Sequence, residues 1–131
     1  MSTDFTSRLL GETPDAVIAI APDGKAPHWN CAAENIFGYT RDEAMGRLLI
    51  DLIVPPELVE EERRILADAL VRGLVVYEAL RRRKDGSLVY INGSIKAVRD
   101  SSGGIEYFLF TKKDVTHLKV LRDAKQPDYV E

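Results

Sequence analysis

The chain has 131 residues, 45% hydrophobic and 30% charged, which is material for one self-supporting core and an ordinary globular domain. A net charge of -3 and a pI near 5.5 argue against phosphate-backbone binding, so no nucleic-acid partner is expected. Cys31 has no second cysteine to pair with, which fits a reducing cytoplasm, and no apolar stretch is long enough to cross a bilayer or to serve as a signal peptide.

In chain order, Phe5, Leu9 and Leu10 stand at helical spacing ahead of Gly11 and Pro14, predicting a short amphipathic cap helix within residues 1–12. Residues 16–21 form a β-rich apolar run, Asp23-Gly24 a turn, and residues 25–29 a return strand. Asn30 is a good N-cap for a helix that Gly38 ends after Phe37. Thr40 and Glu43 have the spacing of a capping box for another short helix, closed by Gly46. After an apolar segment over 48–54, Pro55-Pro56 opens the longest helix, 57–72, with Val59, Leu66 and Leu70 as its apolar stripe.

Three β-like segments follow, 75–83, 88–98 and 105–114. The first two are joined by Asp85-Gly86, a pair that tolerates positive φ and suits a tight hairpin. Residues 115–124, with Val115, Leu118 and Leu121 on one side, predict an outgoing helix, and 125–131 a polar end. Two strands, a helix cluster and three antiparallel strands make an α+β domain with its helices on one face of a sheet.

This order, with its punctuation, resembles the PAS domain of bacterial signalling proteins. The resemblance is carried by Asp15-Ala16-Val17-Ile18, Trp29-Asn30, Ala33-Glu34, Phe37-Gly38-Tyr39, Glu43-Ala44-Met45-Gly46-Arg47, Arg82-Arg83-Lys84-Asp85-Gly86-Ser87 and Asp114-Val115-Thr116. It covers residues 13–117 and leaves 118–131 as a signalling helix or linker. It implies a five-stranded antiparallel sheet of order 2-1-5-4-3 whose inner face and helices enclose a core that holds a small molecule in many members. It also implies that Asp114 and Thr116 stand where the signal passes to an effector.

Alternation on the fourth strand puts Val89, Ile91, Gly93 and Ile95 on one face and Tyr90, Asn92, Ser94 and Lys96 on the other; the resemblance turns the first set inward. Tyr77, Ala79 and Arg81 on the third strand and Phe108, Phe110 and Lys112 on the fifth join them. Of this inner face, Tyr77, Ala79, Ile91, Gly93, Ile95, Phe108, Phe110 and Lys112, with Phe37, Met45 and Leu66 from the helices, are the candidate ligand-contacting residues. Gly93 inside a strand marks a bulge or a place of close approach. Lys112 is expected to snorkel to the rim, with an acidic ligand group or Glu34 as its alternative partner.

Cofactors are read against the family. Haem is disfavoured because the long helix has no histidine; His28 falls on the second strand and His117 after the exit motif. Light-oxygen-voltage (LOV) flavin chemistry is disfavoured because Ala32-Ala33-Glu34 departs from the Asn-Cys-Arg-Phe-Leu-Gln motif and Cys31 comes too early; it reads as a small half-buried residue. Non-covalent flavin adenine dinucleotide (FAD), a small metabolite and a ligand-free core packed by Val17, Ile36, Leu49, Leu52 and the residues above stay open.

The basic run 81–84 reads as a solvated hairpin entrance, since alternation splits its cations between faces. No catalytic, metal-spaced or nucleotide-binding motif is present. The function implied is a sensor or relay domain, attached to or feeding an effector such as a histidine kinase or a cyclic-nucleotide (cyclic-di-GMP) enzyme. The alternative is a protein-interaction module that forms a homodimer through Phe5, Leu9, Leu10 and outer-face residues such as Tyr90 and Tyr107.

Overall fold

The computed structural model describes residues 13–124. Five strands, β1 (Ala16–Ile20), β2 (His28–Trp29), β3 (Leu74–Arg82), β4 (Leu88–Arg99) and β5 (Ile105–Asp114), form one antiparallel sheet in the order β2-β1-β5-β4-β3. The helices are α1 (Cys31–Phe37), α2 (Arg41–Ala44), α3 (Leu49–Ile53), α4 (Val59–Arg72) and α5 (Thr116–Ala124). The cap helix expected within residues 1–12 and the end over 125–131 lie outside the described residues.

Local chemistry accounts for the helix starts. Asn30 Oδ1 accepts from the Ala33 N–H at 3.0 Å and from the Val17 N–H at 2.9 Å, while its amide nitrogen donates to Asp15 O. One side chain thus caps α1 and fastens it to β1. Thr40 and Glu43 close the capping box of α2 in both directions. Trp29 then donates from Nε1 to Tyr39 O at 2.9 Å and packs on Phe37, with the ring centroids 6.0 Å apart.

Several boundaries and burials differ from the sequence reading. The 48–54 segment contains helix α3, because Leu49, Leu52 and Ile53 at helical spacing bury one side. The long helix begins with a 3-10 turn, Pro56–Leu58, and the return strand shrinks to two residues with an isolated bridge from Lys25 to Leu48. In the hairpin only Gly86 takes positive φ, at 89°, so Asp85-Gly86 does not form a two-residue turn of positive-φ residues. Instead Asp85 accepts from the Ser87 N–H and hydroxyl, and Arg83 and Ser87 close a longer loop.

Met45 is 48% exposed and Leu70 41% exposed, not core residues, since α2 and α4 present other faces to the sheet. Val17 lies on the outer side of β1, whose buried residues are Ala16, Ile18 and Ile20. Cys31 is exposed rather than half-buried.

Candidate functional site

Alternation along β3, β4 and β5 turns Ala79, Arg81, Ile91, Gly93, Ile95, Phe108, Phe110 and Lys112 inward, with the Tyr77 ring partly buried beside them. Register decides what these residues become. Tyr77 pairs with Gly93 across β3 and β4, Gly93 with Lys112 across β4 and β5, and Lys112 with Ala16 across β5 and β1. Gly93 and Ala16 are the small members of this row. A Cβ built on Gly93 would stand 2.8 Å from Thr111 O and 3.2 Å from both Tyr77 Cζ and Oη. The close approach expected at Gly93 is therefore made by the Thr111 carbonyl and the Tyr77 ring.

Across the gap above Gly93, Lys112 Nζ donates to Tyr77 Oη at 2.5 Å and lies 4.6 Å from the Phe110 ring centroid. Lys112 is fully buried and does not snorkel, because the row leads its stem over glycine into the core. Glu34 is not its partner; that carboxylate accepts from the Arg41 N–H. Burial pushes the Lys112 ammonium down to about 8, the Glu62 carboxylate pulling it up and the Arg81 guanidinium adding to the fall. Burial and the Glu62 charge push the Tyr77 phenol above its ordinary range, so it stays neutral.

Beside this row stands an ion pair that sequence reasoning missed. Arg81 is fully buried; its Nη2 donates to Glu62 Oε1 at 2.6 Å and its Nη1 to Glu61 Oε1 at 3.0 Å. Glu62, on α4, is 1% exposed. The signal was present: Glu62 falls on the inward side of α4 near Ala69, and Arg81 shares alternation with Tyr77 and Ala79.

The other cations of the basic run stay at least partly in solvent, with Lys84 50% exposed, and each also has a protein partner. Arg82 donates to Asp51 O on α3, and Lys84 pairs with Glu43 on α2 at 2.5 Å. Arg83 donates from Nε to Ile36 O on α1 at 3.0 Å and from Nη2 to Asp114 Oδ2 at 3.2 Å. Four successive side chains thus fasten the hairpin to all four helices on the inner face and to the end of β5.

At that end Asp114 Oδ1 accepts from the Thr116 N–H at 2.9 Å, and Thr116 Oγ1 accepts from the Tyr90 N–H at 3.0 Å. Partial burial raises the Asp114 carboxyl, but the Thr116 and Arg83 contacts outweigh it and hold the group below the usual carboxylate range. The start of α5 is fixed to β4 by these bonds and by the Val115 N–H donating to Tyr90 O.

A cleft of about 250 Å³ opens between the β1–β2 turn, α3 and α4, with Ile20, Leu49, Leu66 and Glu62 in its lining. Phe37 is in the core beside Trp29, away from this lining, and Met45 is on the surface. No cluster of three or more metal-ligating side chains occurs among the described residues, nor does any described helix have the length and apolarity to cross a membrane.

A cupped antiparallel sheet with helices on one face and a charged row inside defines a single-sheet α+β domain. A family model described as the PAS fold matches residues 4–115, and the chain belongs to the PAS family. It is 33% identical over 115 residues to an uncharacterised protein of Azorhizobium caulinodans, matching 82% of this chain and 15% of that one. It is 28% identical over 117 residues to hybrid signal transduction histidine kinase L of Dictyostelium discoideum, matching 88% of this chain and 7% of the kinase. The chain therefore spans a small part of these relatives.

Among solved structures, the PAS domain of a Colwellia psychrerythraea protein superposes with a TM-score of 0.81 at 19% identity, over 89% of this chain and 99% of that one. An RNA-binding light-oxygen-voltage receptor gives 0.78 at 24% identity, over 92% and 35%. At these identities the likeness is one of fold. The family places the domain in signal transduction, and a PAS domain is not itself catalytic.

Proposed function

We propose that the chain is the input and relay domain of a larger, cytoplasmic signalling protein, with a histidine kinase or a cyclic-nucleotide enzyme as its effector. The contact that carries this reading is Arg83, which bonds α1 with one nitrogen and the Asp114 exit with another. A shift of the helices over the sheet moves the hairpin, and the hairpin holds the residue that caps α5. Tyr77, Ala79, Ile91, Gly93, Ile95, Phe108, Phe110 and Lys112 are the residues through which a change in the core acts on the strands.

Replacing Asp114 with alanine in the full-length protein is expected to abolish regulation of the effector while the domain stays folded. Effector activity with and without the stimulus checks this, and unchanged regulation would sink the relay.

The interior supports a domain without a large cofactor. The inner sheet face is filled by Tyr77, Lys112, Arg81 and Phe110, and the cleft is smaller than the roughly 300–1,000 Å³ of drug-sized sites. A small metabolite or a partner fits this better than FAD.

The dimer reading has its own support. Leu74, Val76, Leu88 and Tyr90 on the outer sheet face and Leu118, Val120 and Leu121 on α5 are exposed apolar side chains. Light scattering is expected to show a dimer for the full chain and a monomer once residues 1–12, with Phe5, Leu9 and Leu10, are removed. A monomer in both cases removes this role.

A further inference from the structure

Among the described residues the buried charged side chains are Arg81, Lys112 and Glu62, two cations against one carboxylate. Glu62 is committed to Arg81, and Glu61, the second carboxylate on that guanidinium, is 38% exposed. Lys112 is left without a counter-charge. Its hydrogen bond goes to the neutral Tyr77 hydroxyl, it makes no ion pair with any described residue, and the Phe110 ring beside it offers only a quadrupole. Arg81 Nε, buried with the rest of its side chain, donates to no acceptor. The Tyr77 hydroxyl accepts from Lys112, and its own proton goes to no described acceptor. The Arg81 and Glu62 charges both act on Lys112 through space, so these groups form one cluster. A buried cluster of donors with surplus positive charge is costly until an acceptor completes it.

We propose that the core holds one small monovalent anion, a halide or a short carboxylate, to which Lys112 Nζ, Tyr77 Oη and Arg81 Nε donate. The inference rests on the sensor reading and names the charge and size of the ligand which that reading leaves open. Charge balance sets the valence: one such anion brings the buried charges to two of each sign. Packing sets the size. Phe110, Tyr77 and the stems of Arg81 and Lys112 occupy the inner face, so the ligand is limited to a few heavy atoms. Its place is beside Gly93 and Ala16, the small residues that flank Lys112 in its row. Tyr77 is the half-buried member of that row, whereas Gly93, Lys112 and Ala16 are buried, so rotation of the Tyr77 ring is the way in.

The test is a nuclear magnetic resonance titration of the 131-residue chain with chloride, formate and citrate, at an ionic strength held constant with sulfate. Chloride or formate is expected to bind saturably and to shift the amides of Tyr77, Gly93 and Lys112, and the tighter of the two distinguishes halide from carboxylate. Citrate, too large and too highly charged, is expected to give no saturable shift at these amides. Binding at pH 10 is expected to be at least ~10-fold weaker than at pH 7, because the Lys112 ammonium is lost above about 8. A Lys112→Met/Tyr77→Phe variant removes two of the donors and leaves neither partner orphaned, so it is expected to fold and to bind ~10-fold more weakly or worse. No saturable shift with chloride or formate, citrate binding at the same amides, affinity unchanged at pH 10, or wild-type affinity in the double variant each overturn the proposal. The relay reading is measured separately, on effector output of the Asp114 variant, so the two fail independently.

Discussion

Replacing Glu62 with leucine is expected to destabilise the domain by roughly 3 kcal/mol or more, at the lower end of the range for breaking a buried ion pair. The cause lies in what the substitution leaves behind. Arg81 is fully buried, so without Glu62 its guanidinium keeps only Glu61, a partner that is 38% exposed, and its own neighbour's carbonyl. Its Nε already has no acceptor. A charge in that position cannot recover its hydration by a simple rotation.

The converse is equally testable. A Glu62→Leu/Arg81→Met double variant removes both charges and keeps the volume, and is expected to return to within ~1 kcal/mol of the wild type. Urea denaturation of the three proteins measures both values. A single variant as stable as the wild type would show that Arg81 is not held by Glu62.

The second large effect concerns Lys112 and runs with pH. Its ammonium drops from 10.5 to about 8 on folding, chiefly through burial, which corresponds to a penalty of ~3 kcal/mol. Below pH 8 the lysine is protonated in both states and the penalty is present in full. Between 8 and 10.5 the unfolded chain holds more protons than the folded one, so this group makes the domain more stable as pH rises.

A Lys112→Met/Tyr77→Phe double variant removes the amine and the hydroxyl it donates to, leaving no orphaned partner. It is expected to be ~2–3 kcal/mol more stable than the wild type at pH 7, with the difference shrinking toward pH 10. Thermal or urea melts across that range check it. A variant less stable at pH 7 that keeps the wild-type slope would mean the amine is well solvated.

Much of this fold was legible because its signals are local. Asn30, Gly38 and the Thr40/Glu43 box mark helix ends through bonds made within a few residues, and those ends stand where the spacing put them. Period-two alternation identified the inner faces of β3, β4 and β5 for the same reason. Which strand positions face inward was legible, whereas Met45, expected beside them, is on the surface. Exposure of Met45 depends on which side of a four-residue helix meets the sheet, and four residues contain too little periodicity to say.

Charge was read least well. Lys112 and the run 81–84 were assigned to solvent, as cations usually are. Lys112 is buried because Gly93 stands beside it in the next strand, a neighbour 19 positions away that only register supplies. Arg81 is buried because α4 brings Glu62 over β3.

By itself, then, the sequence determined the element order, the sheet's inner face, the helix caps and the family, since each depends on contacts within one segment or on the order of segments. The tertiary structure alone decided that the basic run fastens the hairpin to α1, α2, α3 and α4, and that Tyr77 and Lys112 meet over Gly93. The physical reason is the same in both cases. A charged side chain enters a core only where a partner meets it, and that partner comes from another element, placed by strand register and helix packing.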